Sequence, residues 1–227
     1  MSKYPTQKDP DYGTRQYCPP FTPMIDVLAL GSEGKFTLDT VQLDAELAHL
    51  INLKGMYHRF DEKAAPGKYV RLLEGNLVWM SDAPRERYTN LEFIRRAHGH
   101  VLVAGLGIGM VIPPLLAKDG VKNITVIERE PDVIKLVGSQ VGSLRGKGTK
   151  YARILQGDIH DWRPPRGMRF NTIWLDIWPD VCADNWDEMV ELQRVFAHYL
   201  DRSDPERWCA TWEHDYIKYL VRRDKGE

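Results

Sequence analysis

VLVAGLGIGM, residues 101–110, is followed after an apolar segment by ITVIE, residues 124–128. The first run is almost continuously apolar and ends in glycines at 105, 107 and 109; the second ends in a carboxylate, Glu128. Unbroken Val, Leu and Ile is what a parallel strand needs when both of its faces are covered. Glycine reaches positive φ and carries no Cβ, so the turn after such a strand can be tight and its backbone can approach a ligand closely. An acid roughly twenty residues further on, at the end of the next strand, is placed to accept hydrogen bonds from ribose hydroxyls. The stretch predicts strand, glycine turn, helix and strand, with a nucleoside-bearing cofactor lying across the turn.

Downstream the alternation continues. Pro113 and Pro114 fall near the start of a helix over 110–118, where missing amide donors cost least, and Gly120 ends it. Pro131 and Asp132 open a second helix, which dissolves into the basic, glycine-rich SLRGKGTK at 143–150. Third and fourth strands are expected over 152–155 and 172–175, followed by Gly157-Asp158 and by Asp176-Ile177-Trp178-Pro179-Asp180. A helix over 184–200, a fifth strand over 208–212 and a closing helix over 215–222 complete the series. Alternating strands and helices imply an α/β fold, a Rossmann-like parallel sheet with right-handed crossovers. Ligands in such sheets bind outside the carboxyl ends of the strands, where strand order reverses. Glu128, Asp158 and Asp176 all lie at such ends.

Upstream, residues 1–24 carry Pro5, Pro10, Pro19, Pro20 and Pro23 and read as an extended or disordered arm. Residues 25–98 read as a small N-terminal extension and residues 99–227 as the cofactor-binding domain. Within the extension the pattern predicts a short strand over 24–30 and a helix over 39–53, on the stripe Val41, Leu43, Leu47, Leu50 and Ile51. A hairpin follows over 68–82, turning at Glu74-Gly75-Asn76. A helix within 84–98, starting near Pro84 or near Asn90, then buries Leu91, Phe93 and Ile94. His98 and His100 read as surface polar residues, because no third metal ligand lies nearby.

With 43% hydrophobic and 28% charged residues, 227 residues can bury the core of one generous domain. The 31 basic and 32 acidic side chains leave a net charge of −1, which gives no electrostatic reason for nonspecific binding to nucleic acid or a membrane surface. Cys18, Cys182 and Cys209 are odd in number and lack CxxC spacing, arguing against a disulfide framework or structural zinc. No apolar run reaches the ~18 residues of a membrane span, and the polar N-terminus lacks a signal-peptide core. The expected location is the cytoplasm.

VLVAGLGIG, VIERE, GDIHDW and TIWLDIWPD also resemble, in order and at about their spacing, the motifs of class I S-adenosylmethionine-dependent methyltransferases. The hairpin LLEGNLVWMSD resembles the segment ahead of the sheet in spermidine synthase-like proteins, a branch of that superfamily. The likeness covers residues 72–180. It implies S-adenosylmethionine as cofactor, with Gly105, Gly107 and Gly109 around its methionine part and Glu128 on the ribose hydroxyls. It places Asp158 at the adenine amino group, Ile159 on the adenine face and Asp176 beside the sulfonium or the acceptor. Asp176 and Asp180, with Trp178 between them, would form the acceptor side, where an aromatic ring can stack on a flat acceptor or contact a sulfonium.

Two departures order the functional readings. Spermidine synthases resemble GGGDGG in the loop, whose acid helps hold the aminopropyl donor, and Ile108 stands at that position here. Their DSSDP-like pattern after strand four is here DIWPD. Burying an unpaired ammonium costs several kcal/mol, so aminopropyl transfer ranks behind methyl transfer. A NAD-dependent dehydrogenase would want its third glycine at Met110 and a second catalytic domain. Methyltransferases of this class usually continue to strands six and seven, whereas fifteen residues follow Trp212. The sheet would then be truncated after strand five, or closed by the N-terminal hairpin or a second subunit in a homodimer. That shortness keeps a third reading, a non-catalytic adenosylmethionine-binding protein acting through a partner. Neither an Asn-Pro-Pro-Tyr sequence nor a basic-aromatic stripe is present, so the expected acceptor is a small molecule rather than a nucleic acid.

Overall fold

The computed structural model describes residues 20–55 and 64–225. Most of the arm read over 1–24 lies outside them. Its described end packs: Phe21 and Met24 are buried in the core. The strand expected over 24–30 is not formed. Pro23, at φ −57°, leads into a single 3-10 turn, Met24–Asp26, and the Met24 amide donates to Asp82 Oδ2 at 2.8 Å instead of to a neighbouring strand.

The first sheet is an antiparallel meander in the order β1-β2-β3-β4: β1 Gly31–Glu33, β2 Phe36–Leu43, β3 Gly67–Glu74 and β4 Leu77–Ser81. The helix expected from residue 39 begins only at α1, Ala45–Gly55, where the Asp44 carboxylate accepts the Leu47 amide at 2.7 Å. Residues 39–43 are strand, because FTLDTVQL alternates and is rich in β-branched residues, and it pairs along its whole length with β3, from Phe36↔Glu74 to Leu43↔Gly67. The hairpin turns where expected, with Gly75 at φ 58°. The single helix expected over 84–98 is two, α2 Pro84–Thr89 and α3 Leu91–Arg96. Buried Asn90 separates them, its Nδ2 donating back to the Glu86 carbonyl at 3.0 Å.

The second sheet follows the expected series: β5 Gly99–Ala104, α4 Ile112–Ala117, β6 Val121–Glu128, then α5 Pro131–Val133 running through a π turn into α6 Ser139–Gly142. β7 Ala152–Gln156, β8 Thr172–Leu175, α7 Trp186–Ala197, β9 Trp208–Thr211 and α8 His214–Lys225 complete it. Its five strands are all parallel, in the order β7-β6-β5-β8-β9. The chain thus winds outward from β5 through β6 to β7, then returns to the other side of β5 for β8 and β9. The reversal falls between β5 and β8, which is where an open α/β sheet makes its binding crevice. The N-terminal hairpin belongs to the first sheet and does not extend the second, whose edge on that side is β9.

Both faces of the central strands are buried. Val101 and Val103 of β5 and Trp174 of β8 meet Phe36, Leu38, Val70 and Leu72 of the first sheet together with residues of α4 and α6. Leu102, Ala104, Ile173 and Leu175 face Met189, Leu192 and Phe196 of α7 and Ile217 of α8. His98 is a correction to the surface reading: it is 4% exposed, with Nε2 2.7 Å from Asp204 Oδ2 and Nδ1 2.8 Å from the Arg96 carbonyl. With both ring nitrogens partnered, the imidazole can be buried. His100 is exposed as expected. No described helix is long and apolar enough to cross a membrane.

Candidate functional site

The carboxyl ends of β5, β6, β7 and β8 open into one cleft, roofed by Phe36, Leu72, Trp79 and Met80 of the first sheet. The empty space between these walls, including the open mouth, is about 1140 Å³. Gly105, Gly107, Glu128, Asp158, Ile159, Asp176 and Trp178 all line it. The fold thus brings together seven of the nine residues singled out from sequence.

The glycine turn is shaped by what crowds it. Gly105 has φ 91°, and a Cβ there would overlap the Asp176 carbonyl; Gly107 has φ 51°, and a Cβ there would overlap Met80 Sδ. The Met80 thioether also lies 3.2 Å from the Ile108 amide, so a side chain of the first sheet rests directly on the turn. Gly109 is not part of the cleft wall. A Cβ at Gly109 would stand 2.9 Å from Val141 Cγ1, so this glycine serves the approach of α6 to the turn.

Glu128 is 8% exposed and braces the turn from behind. Its Oε2 accepts the Leu106 amide and its Oε1 the Glu130 amide, both at 2.8 Å. Burial raises its pKa, and these amides only partly offset that. Each carboxylate oxygen retains a second lone pair, so Glu128 can still accept hydrogen bonds from the cleft.

At the end of β7, Asp158 Oδ1 accepts both the His160 amide, at 2.9 Å, and the His160 ring through Nδ1, at 2.8 Å. Those bonds hold the Asp158 carboxyl below its usual range. His160 Nε2 reaches Glu188 Oε1 of α7 at 2.9 Å, and the other Glu188 oxygen accepts the Trp178 indole N–H. Burial lowers the His160 pKa, but the two carboxylates raise it by more, so the imidazole is biased toward its cationic form. The chain Asp158–His160–Glu188–Trp178 escaped sequence reading. Asp-Ile-His at 158–160 carried a usable signal, since an aspartate commonly accepts the amide two residues on; Glu188 carried none beyond its place in the first turn of a helix.

Asp176 lies at the end of β8, half-buried, with its pKa pushed up to about 8. Burial is the main cause; the Glu86 and Glu213 carboxylates add to it, and the Trp174 indole N–H opposes it. Burial likewise pushes Glu86 up to about 7, against the pull of Arg85 and the Ser81 amide and with a contribution from Glu213. Asp180 is not brought into the cleft. It is exposed, and its Oδ1 and carbonyl accept the Asn185 amide side chain at 3.3 and 3.1 Å. Trp178 is a buried part of the wall rather than a free stacking surface. Among the described residues no group of three or more His, Cys, Asp or Glu is placed to hold a metal ion. Burial pushes the Cys209 thiol up to about 12, which removes it as a nucleophile.

Against this geometry, comparison with known proteins returns partial likenesses to solved methyltransferases. A proposed methyltransferase from Thermoplasma acidophilum is 20% identical over 56% of this chain and 50% of its own, with a TM-score of 0.39. The CcbJ methyltransferase from Streptomyces caelestis is 18% identical over 45% of this chain and 39% of its own, at 0.36. An S-adenosylmethionine-dependent methyltransferase from Clostridium acetobutylicum is 13% identical over 51% and 44%, at 0.35. The chain therefore spans half or less of the length of these proteins. No protein-family model and no curated protein matches the sequence.

Proposed function

We propose that this chain is an S-adenosylmethionine-dependent methyltransferase acting on a small-molecule acceptor. The observation that carries the reading is the union, in one cleft at the strand-order reversal, of the Gly105–Gly107 turn, Glu128 behind it and Asp158-Ile159 at a neighbouring strand end. The residues fit the cofactor's parts: a cleft-lining turn whose Gly105 and Gly107 leave no room for a Cβ against Asp176 and Met80, a buried carboxylate with a lone pair to spare, and a carboxylate beside an apolar side chain. In this reading Glu128 accepts the ribose hydroxyls, Asp158 accepts the adenine amino group through Oδ2, and Ile159 covers the adenine face. The Gly105–Gly107 turn receives the methionine part.

The cofactor supplies an already activated methyl group, so the protein's task is to orient and to manage one proton. Asp176, at a pKa of about 8, is mostly protonated at neutral pH in the empty cleft, so it takes a proton from an acceptor only through its ionised form, whose share grows as pH approaches 8. Trp178 is held by Glu188 and keeps the wall rigid beside it. Calorimetry with S-adenosylmethionine, its demethylated product S-adenosylhomocysteine and the decarboxylated donor tests the reading. Binding of the first two is expected; preference for the decarboxylated form would replace the proposal with aminopropyl transfer. Absence of binding by all three would overturn the cofactor assignment.

A further inference from the structure

His160, in the turn after β7, has a carboxylate on each ring nitrogen: Nδ1 is 2.8 Å from Asp158 Oδ1 and Nε2 is 2.9 Å from Glu188 Oε1. An ionised carboxylate only accepts, and a neutral imidazole has a single N–H. Both contacts are hydrogen bonds together only when the ring carries two N–H groups and a positive charge. The directions of titration agree. The His160 amide and ring hold Asp158 low, and the two carboxylates outweigh burial in raising His160. The ring is thus a doubly donating link from the turn after β7 to the first turn of α7.

The link acts on both of its ends. The terminal torsion of an aspartate is broad, so a carboxylate held by one bond can rock about it. Asp158 Oδ1 takes two donors, the His160 amide at 2.9 Å and the His160 ring, which fixes the carboxylate plane and leaves the other oxygen in reserve. Among the described residues Asp158 Oδ2 accepts no hydrogen bond and has only the Arg129 guanidinium, 3.9 Å away, as an ion-pair partner. At the far end, the second Glu188 oxygen accepts the indole N–H of Trp178, three residues beyond β8. β7 and β8 are separated in the sheet by β6 and β5, so His160 joins two strand ends that the sheet does not itself hold together.

We propose that His160 is a positioning residue that sets the base specificity of the cofactor site: by pinning Oδ1 of Asp158 it presents Oδ2 as a fixed, charged acceptor for the exocyclic amino group of a purine. This rests on the methyl-transfer reading, in which Asp158 meets adenine, and adds that the choice of an amino-bearing purine depends on a side chain acting through Asp158. A charged acceptor binds an N–H donor strongly, and a purine that lacks the donor leaves the carboxylate desolvated and unpaired. Glu188 holds Nε2 and so keeps the ring from turning away. The His160 and Glu188 side chains are 40% and 46% exposed, so their ion pair contributes little to folding. Replacing His160 therefore leaves the fold intact, and its loss is read in ligand selection.

The test compares, by calorimetry on the full chain, S-adenosylhomocysteine with its analogue carrying unsubstituted purine in place of adenine. The unaltered protein is expected to prefer the adenine form about tenfold or more. Three replacements separate the two ring nitrogens, since an asparagine amide nitrogen takes the place of Nδ1 and a glutamine amide nitrogen that of Nε2. His160→Phe and His160→Gln should each reduce the preference to about threefold or less, whereas His160→Asn, which still donates to Asp158, should keep most of it. A merely structural role would change the affinity for both ligands alike and leave the ratio where it was. Equal affinities in the unaltered protein, a ratio that persists in the Phe and Gln variants, or a ratio lost equally in the Asn variant would overturn the proposal. Failure of the unaltered protein to bind S-adenosylhomocysteine at all would overturn the methyl-transfer reading and this inference with it; binding without preference would overturn this inference alone.

Discussion

Asp176 does two things in the cleft: its backbone carbonyl closes on Gly105, and its buried carboxyl, raised further by the charges of Glu86 and Glu213, titrates near 8. If it is the proton acceptor, Asp176→Asn should lower kcat about 10²-fold or more with little change in cofactor affinity, measurable by single-turnover assay beside calorimetry. Its pKa also makes a stability prediction. An aspartate that titrates near 3.8 when unfolded and near 8 when folded binds more protons in the native state throughout that interval. Stability contributed by this group is therefore full below about pH 4 and lost as pH rises through about 8, and Glu86, raised to about 7, acts with the same sign. The ligand-free protein should melt at a lower temperature at pH 8.5 than at pH 5.5, and the double variant Glu86→Gln, Asp176→Asn should flatten that dependence. A melting temperature that rises over the interval would contradict the assignment.

At the scale of elements, the glycine turn and β4 form a unit. Gly107→Ala places a Cβ on Met80 Sδ at a φ of 51°, so it should weaken S-adenosylmethionine binding about tenfold or more. Because the clash is with the end of a flexible side chain, adding Met80→Ala should recover part of that loss but not the backbone strain; isothermal titration of the single and double variants separates the two. The strands that end in Glu128, Asp158 and Asp176 were legible because buried parallel strands declare themselves locally, as unbroken apolar runs with polar ends. β2 was not, because Val41, Leu43, Leu47, Leu50 and Ile51 fit a helical period as well, and the decision came from pairing with β3, a contact across sequence that no local window contains. Asn90 broke a helix for a similarly specific reason, a side-chain bond to the Glu86 carbonyl. The acids Glu86 and Glu213 carried no motif and became visible only when β9 and α2 were brought to the same corner. Asp180 shows the converse, an acid in a suggestive motif that the turn after β8 directs to solvent.

For the molecule as a whole, the cleft exists only because the antiparallel sheet is seated over the carboxyl ends of the parallel one, and Asp82 is the clasp. It is 1% exposed and accepts the Met24 amide at 2.8 Å, the Val70 amide at 2.7 Å and the Arg87 guanidinium at 2.8 Å. One buried carboxylate thereby joins the N-terminal segment, β3 and α2. Removing one member of a buried, hydrogen-bonded ion pair costs about 3–5 kcal/mol, because the remaining charge and amides lose their partner. Asp82→Ala should therefore lower stability by about that amount in denaturant unfolding. Its effect should also be directional. Hydrogen exchange should quicken first at the amides of β3 and β4, while those of β5 and β6, paired deep in the second sheet, stay protected. Since Phe36, Leu72, Trp79 and Met80 form the roof, cofactor affinity should fall although no cofactor-facing residue has changed. Uniform loss of protection in both sheets would instead mean that they unfold as one unit and that Asp82 supports the whole core; unaltered affinity would mean that the parallel sheet holds its cofactor without the roof.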